Sequence, residues 1–85
     1  MSRRGRFEAA GDVLREIVSH PNRAPTRILA SVGVTYSFLA TLKQTGLVEF
    51  EAAGKKRRRI RLTEKGREFL KHYTQLERLF PVQVQ

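Results

Sequence analysis

The sequence predicts a small α+β domain that is mainly α-helical, with three helices, a two-stranded hairpin and a closing helix. Apolar residues recur at intervals of three and four positions over residues 7–44 and 63–80, as on one side of a helix. Between residues 47 and 62 they alternate with charged residues, as in two strands around a turn. A chain of 85 residues is expected to form one such domain with a small core.

The composition is strongly basic, because 17 Lys and Arg residues face 8 Asp and Glu residues and give a formal net charge of +9. This charge favours a polyanionic partner, with nucleic acid as the first candidate and an anionic membrane surface as the second. The chain contains no cysteine, which excludes disulfides and thiolate metal sites. It also lacks a membrane-spanning apolar run and the apolar block of a signal peptide, so a cytoplasmic protein is expected.

The first helix is predicted over residues 7–20 from the helical spacing of its apolar residues. Pro21 ends it, because proline disfavours helical geometry in the residue before it. Gly11 lies beside the apolar stripe of this helix, where it weakens the helix and is expected to permit close approach of a neighbouring element. The residues predicted to face inward are Phe7, Ala10, Leu14, Ile17 and Val18.

The second and third helices are predicted to form a helix-turn-helix. Pro25 suits the first turn of a helix that runs to about Val32, and Gly33 suits the left-handed position that closes it. Thr35 then stands at the N-cap position of a third helix, which runs to Gln44. A short helix, a glycine turn and a second amphipathic helix have the order of this motif.

The third helix has an apolar side, formed by Phe38, Leu39 and Leu42, and an uncharged outer side. An outer side of small hydrogen-bonding residues suits a helix that enters the DNA major groove, which is about 12 Å wide. The alternative interpretation is an ordinary amphipathic helix whose exposed side binds no partner. The outer residues are Ser37, Ala40 and Gln44, flanked by Tyr36 and Thr41.

The hairpin is predicted to pair residues 47–52 with residues 57–62 around a turn at residues 53–55. Its tip and second strand are basic, and we expect no acidic partner opposite them. Besides nucleic-acid binding, a nuclear localisation patch or a merely solvated tip would account for this charge. The basic residues are Lys55, Lys56, Arg57, Arg58, Arg59 and Arg61.

The last helix is predicted to begin after its cap Thr63 and to run to about residue 80, before Pro81. Its apolar residues are Phe69, Tyr73, Leu76 and Phe80. Their steps of four, three and four have the rhythm of a coiled coil, which predicts a homodimer through this helix. The alternative is a helix folded back along its own domain. The predicted division is therefore residues 1–62 for the first domain, 63–80 for the dimerisation helix and 81–85 for the tail.

Two short stretches carry a family resemblance: Gly46-Leu47-Val48 at the end of the third helix, and Arg61-Leu62-Thr63 followed by Gly66. They resemble the pattern of winged helix-turn-helix proteins. The chain is similar to MarR- and PadR-like regulators, and most of all to small archaeal winged-helix proteins that dimerise through a C-terminal antiparallel coiled coil. The resemblance implies a recognition helix at residues 35–44, a wing at residues 51–59 and a homodimer with two DNA-reading units.

Double-stranded DNA is therefore the predicted partner, and a nucleoid-associated location within the cytoplasm is expected. The outer side of the third helix would face base edges, while its entrance, its Lys43 flank, the start of the second helix and the wing would contact phosphate. The predicted DNA-binding residues are Arg23, Thr26, Arg27, Thr35, Tyr36, Ser37, Ala40, Thr41, Lys43, Gln44, Lys55, Lys56, Arg57, Arg58 and Arg59. A site-specific regulator and a chromatin-type protein both fit, as do an RNA-binding protein of ribosomal type and a protein-interaction module with less support.

Nothing in the sequence indicates an enzyme. His20 and His72 are isolated in the sequence and are expected to have no neighbouring carboxylate for metal or triad chemistry. Glu64 and Glu68 are expected to pair with basic residues of their own helix. No metal, cofactor or catalytic residue is predicted, and so short a chain offers no separate domain for a small-molecule effector.

Overall fold

A computed structural model describes residues 5–52, 54 and 58–79, and its elements follow the predicted order. The elements are α1 (Arg6–Ser19), α2 (Pro25–Val32), α3 (Tyr36–Gln44), β1 (Val48–Ala52), β2 (Arg58–Leu62) and α4 (Glu64–Leu79). Three predicted wing residues, Lys55, Lys56 and Arg57, lie outside the described residues, as do Phe80 and the tail. Within the described part of the chain, no helix combines the length and the apolar character that crossing a bilayer requires.

The helix boundaries follow from local capping. Pro25 is the first residue of α2, and Gly33 ends that helix in a left-handed conformation with φ +82°. Thr35 has extended backbone geometry, and its hydroxyl oxygen accepts a hydrogen bond of 3.3 Å from the backbone N–H of Phe38. It is therefore the N-cap that the sequence predicts, because its side chain satisfies one of the donors left free at the start of a helix.

The hairpin is antiparallel, with Val48 opposite Leu62 and Glu51 opposite Arg59. One face carries Val48, Ile60 and Leu62, which are all buried, whereas the other face is charged. The alternation expected for a strand pair with one face on a core is therefore present, and the hairpin is held against the helices through its apolar face.

The core lies where α1, α2, α3 and the hairpin meet. Its buried members are Ala10, Val13, Leu14, Ile17, Ile28, Leu29, Leu39, Leu42, Leu47, Val48, Ile60 and Leu62. The prediction for α1 was partly wrong: Val18 is 57% exposed and Phe7 is 49% exposed, whereas Val13 is fully buried. The inward face is displaced because α1 packs against α2 and the hairpin on one side and against α4 on the other.

Helix α4 lies along α1 of the same chain. The ring of Tyr73 is buried against Gly11, where an added Cβ would overlap it, and it lies 5.3 Å from the ring of Phe7. The guanidinium of Arg15 lies 5.4 Å from the Tyr73 ring centre and donates a hydrogen bond to Glu77. These contacts confirm the close approach predicted at Gly11. The ring of Tyr73, which the sequence predicts in the dimer interface, is covered by its own chain.

The first half of the predicted stripe on α4 is thus largely covered within the chain. Phe69 is half-buried, and its ring centre lies 5.2 Å from that of Phe7. Farther along α4 the apolar side chains are no longer covered by the rest of the chain: Leu76 is 50% exposed and Leu79 is 81% exposed. The far end of α4 therefore keeps an uncovered apolar surface, while its near end belongs to the packing of the domain.

A compact joint connects the end of α3 to the start of α4. The hydroxyl of Thr63 donates to the carbonyl oxygen of Gly46 and accepts a hydrogen bond of 3.0 Å from the backbone N–H of Gly66. The backbone N–H of Thr63 donates to the carbonyl oxygen of Leu47 at 3.1 Å. An added Cβ at Gly66 would collide with that same carbonyl oxygen. The sequence stretches that carry the family resemblance are therefore the residues that lock α4 onto the end of α3.

Candidate nucleic-acid interface

The outer side of α3 faces solvent as predicted. Ser37, Ala40 and Gln44 are exposed, whereas Leu39 and Leu42 on the opposite side are buried in the core. Tyr36, at the start of the helix, is 50% exposed. Because this side carries no charge and little bulk, the helix backbone can come close to a flat or grooved partner.

The aliphatic hydroxyl groups at the start and on the outer side of this helix, those of Thr35, Ser37 and Thr41, are already engaged. Thr35 caps the helix, and its oxygen lies 3.2 Å from the hydroxyl oxygen of Ser37. The half-buried Thr41 donates its hydroxyl to the backbone carbonyl of Ser37 at 3.1 Å. Among the described residues, Gln44 has no hydrogen-bond partner for its side-chain amide, so it is the polar group on this side that is most available to a base edge.

Phe50 connects the recognition helix with the wing. The ammonium nitrogen of Lys43, near the end of α3, lies 5.5 Å from the centre of its ring. The guanidinium carbon of Arg58, at the start of β2, lies 5.7 Å from the same centre. Both cations are within the range of about 6 Å in which an aromatic ring attracts positive charge. The wing therefore begins directly beside the exposed helix.

The outer face of the hairpin carries a network of ion pairs, which corrects the prediction that no acidic residue lies opposite the basic strand. The carboxylate of Glu51 accepts hydrogen bonds from Arg61 at 2.7 Å and from Arg59 at 3.1 Å. These two bonds, from Arg61 first and then Arg59, lower the pKa of Glu51 from its ordinary value. Glu49 adds a looser contact to Arg61, at 3.9 Å. Arg59 is thus neutralised within the hairpin.

The start of α2 carries two of the predicted phosphate contacts, and the structure separates their roles. Arg23 is half-buried and donates to Glu16 at 2.9 Å and to the hydroxyl of Ser31 at 3.2 Å, so it ties α1 to α2. Arg27 and Thr26 are exposed on the first turn of α2. Arg27 lies along an open cleft between the α1–α2 connection and β2.

That cleft brings four arginines together, namely Arg23, Arg27, Arg58 and Arg59. Two of them are ion-paired, and Arg59 also donates to the side-chain oxygen of Asn22 at 2.8 Å. Among the described residues, Arg27 and Arg58 have no acidic partner. The positive potential of the cleft therefore comes mainly from these two side chains.

Sequence reasoning missed Phe50, Asn22 and the acidic partners of the basic strand. The pairing of Glu51 with Arg59 was readable, because residues equally distant from the centre of a hairpin turn face each other across the strands. The same register makes Phe50 and Arg58 diagonal neighbours on one face of the hairpin. The contacts of Asn22 with Arg59 and of Phe50 with Lys43 had no such signal, because they arise from packing between separate elements.

The two histidines also differ from expectation, because each has a carboxylate one turn before it on its own helix. His20 lies 3.5 Å from Glu16, and His72 lies 3.3 Å from Glu68. Glu68 therefore contacts His72 and not a lysine or arginine of α4. Both histidines are exposed, and each faces one carboxylate across a helical turn. These contacts are surface pairs, which contribute little to stability.

A family model described as winged helix-turn-helix matches residues 3–80 of the chain. Comparison with curated proteins gives no significant match. Solved structures resemble the chain in fold. Sso10a-2, a DNA-binding protein from Sulfolobus solfataricus, is 23% identical with a TM-score of 0.68, over 89% of this chain and 81% of that protein.

MepR is a transcription regulator of the Staphylococcus aureus multidrug efflux pump MepA. It is 18% identical to this chain with a TM-score of 0.70, over 91% of this chain and 64% of MepR. A variant of MepR bound to an oligodeoxyribonucleotide superposes with a TM-score of 0.64, at 18% identity, over 91% of this chain and 64% of the variant. At these identities the likeness shows a shared fold.

Proposed function

The chain belongs to the winged helix-turn-helix family, and from that membership we propose that it is a transcriptional regulator that binds double-stranded DNA in a sequence-specific manner as a homodimer. In this proposal α3 enters the major groove, and the wing follows the adjacent backbone or minor groove. The DNA-binding and regulatory descriptions of Sso10a-2 and MepR support the class of function, although they apply to those proteins.

One observation carries the proposal: the uncharged, exposed side of α3 lies next to cations that have no acidic partner in the part of the chain that the structure describes. Ser37, Ala40 and Gln44 are exposed, and Lys43 and Arg58 meet at Phe50 on the flank of the helix. A duplex presents base edges between two charged backbones, so it needs a neutral reading surface with cations beside it. The formal charge of +9 agrees with such a partner.

In the proposed complex, the amide of Gln44 pairs with an adenine edge, a geometry in which glutamine makes two hydrogen bonds. Ser37, Ala40 and Thr41 line the remainder of the contact with the bases. Tyr36 and the entrance of α3 meet a phosphate, which the backbone N–H groups at a helix start attract. Thr26 and Arg27 at the start of α2 contact the neighbouring phosphates, as do Lys43 and the wing.

The homodimer is proposed to form through the far half of α4. Leu76 and Leu79 leave apolar surface uncovered on that half, and a second copy of the same helix is the simplest partner for it. Helix α4 is 16 residues long, which corresponds to about 24 Å of helix. Because the Thr63 joint locks α4 to the end of α3, pairing of two α4 helices would set the spacing of two recognition helices.

The proposal is tested by measuring binding to duplex DNA, duplex RNA and single strands at several salt concentrations. We expect duplex DNA to bind most tightly. If roughly six to ten phosphates are engaged per dimer, the logarithm of the binding constant should fall against the logarithm of salt with a slope of about −5 to −9. A slope near zero, or a preference for RNA, would contradict DNA binding by charge neutralisation.

Sequence specificity is tested by footprinting. A regulator should protect two half-sites separated by about 34 Å or a multiple of it. The exposed outer side of α3 carries neither Arg nor Asn, so we do not expect strong readout of guanine from this helix. This favours a second candidate, a chromatin-type protein that reads DNA shape. A continuous footprint that is the same on unrelated sequences would select that candidate.

A further inference from the structure

The ring of Phe50 lies within about 6 Å of two cations from different elements. Lys43 comes from the recognition helix α3, and Arg58 comes from the first position of the returning wing strand. Phe50 itself lies on β1 and is half-buried, with part of its ring packed against the core. One aromatic side chain is therefore within cation–π range of a helix cation and of a wing cation.

Two like charges beside one ring need an explanation, because they repel each other. Four other arginines of the domain, Arg15, Arg23, Arg59 and Arg61, each contact a glutamate. Among the described residues, neither Lys43 nor Arg58 has an acidic partner. The attraction of the ring for each cation offsets part of the repulsion, and an anion bound between helix and wing would offset the remainder.

We propose that Lys43, Phe50 and Arg58 form a clamp for a DNA backbone phosphate at the junction of the recognition helix and the wing. This inference rests on the proposed function and adds a positioning role for Phe50, which contacts no DNA itself. The ring holds both cations in place before the duplex arrives, so that less side-chain freedom is lost on binding. The helix and the wing then grip the backbone as one unit.

The test is Phe50→Leu, which keeps an apolar side chain on the core and removes the ring. In the otherwise unchanged protein, we expect duplex binding to weaken about three- to tenfold and the salt slope to become less steep. In a background that already carries Lys43→Gln and Arg58→Gln, the same substitution should have no further effect. Phe50→Tyr, which keeps the ring, should bind normally, and Lys71→Gln on exposed α4 serves as a charge control.

A merely structural role for Phe50 would weaken binding equally in both backgrounds, and that result would overturn the clamp, as would normal binding by Phe50→Leu. The melting temperature of each variant shows whether it is folded. If the unchanged protein binds no duplex, the proposed function fails, and inorganic phosphate decides the clamp separately. Phosphate should shift the side-chain N–H signals of Arg58 in the unchanged protein at constant ionic strength, but not in Phe50→Leu. Unmoved signals in the unchanged protein would overturn the clamp.

Discussion

Gly11 shows how a single residue determines the packing of two helices. It lies in the middle of α1, where glycine costs about 1 kcal/mol of helix stability relative to alanine. The structure explains this cost, because the buried ring of Tyr73 occupies the space that any Cβ would need. The same ring is desolvated, and its burial raises the pKa of the Tyr73 hydroxyl. The weak point of α1 is therefore the contact point for α4.

We predict that Gly11→Ala destabilises the protein by about 1–2 kcal/mol, because overpacking against the Tyr73 ring outweighs the gain in helix propensity. Urea unfolding measures the change as a lower midpoint at an unchanged slope. The matched control is the same substitution in a Tyr73→Leu background, where the smaller side chain makes room for the methyl group. Equal destabilisation in both backgrounds would disprove the steric explanation.

Among the elements, the hairpin carries its two functions on two faces. Its inner face, with Val48 and Ile60, packs on the core, whereas its outer face organises charge around Glu51. The strand register places Glu51 directly opposite Arg59 and two pairs away from the pairing of Glu49 with Arg61, on the same outer face. The outer arginines consequently stabilise the wing, and among the hairpin residues that the structure describes, the cation that remains for a partner is Arg58 on the inner face beside Phe50.

We predict that Glu51→Gln lowers the melting temperature near pH 7 and that the loss disappears in acid. The pKa of Glu51 is lowered in the folded protein below its ordinary value of 4.5 by hydrogen bonds from Arg61 and Arg59. Its stabilising contribution is therefore complete above pH 4.5 and is lost as the pH falls through the lower folded pKa.

Thermal unfolding of both proteins across pH 2–8 measures this convergence. Glu49→Gln is the matched control, because it makes the same change in net charge while removing a looser contact of 3.9 Å to Arg61. Glu49→Gln should lower the melting temperature at pH 7 less than Glu51→Gln does. A difference between Glu51→Gln and the unchanged protein that persists undiminished at the acid end would disprove the ion-pair explanation.

At the scale of the whole molecule, α4 links the two proposed activities, which are dimerisation and DNA binding. Its start is locked to the end of α3 through Thr63 and Gly66, and its middle packs on α1 through Tyr73. Its far end, with Leu76 and Leu79, is exposed. A partner bound at that end would be connected to the recognition helix through a continuous series of packed contacts, so dimer geometry and DNA spacing would be coupled.

We predict that Leu76→Lys combined with Leu79→Lys converts a dimer into a folded monomer, because buried apolar contacts between two copies of α4 would be replaced by like charges. Sedimentation equilibrium measures the mass, and circular dichroism checks the fold. The control is Gln75→Lys combined with Lys71→Gln, at two exposed positions of the same helix, and this variant should remain dimeric. An unchanged protein that sediments as a monomer at all accessible concentrations would exclude dimerisation through this surface.

Much of the fold was predictable because it depends on neighbours in the sequence. Pro25, Gly33 and Thr35 set helix ends through capping and backbone geometry, and these predictions are confirmed. The exposed side of α3 was predictable for the same reason, since helix periodicity alone separates Ser37 and Gln44 from the buried leucines. The dimer contacts and the DNA-binding roles stay predictions.

The sequence by itself determined the order of the elements, their caps and the face that α3 presents. The tertiary structure alone decided that Tyr73 is covered by α1, that Arg23 and Arg59 are neutralised, and that Phe50 joins Lys43 to Arg58. The physical reason is the separation along the sequence between the residues that interact. Caps and periodicity arise from residues within a few positions, whereas Gly11 meets Tyr73 across most of the chain, where only the packing of whole elements determines which faces touch.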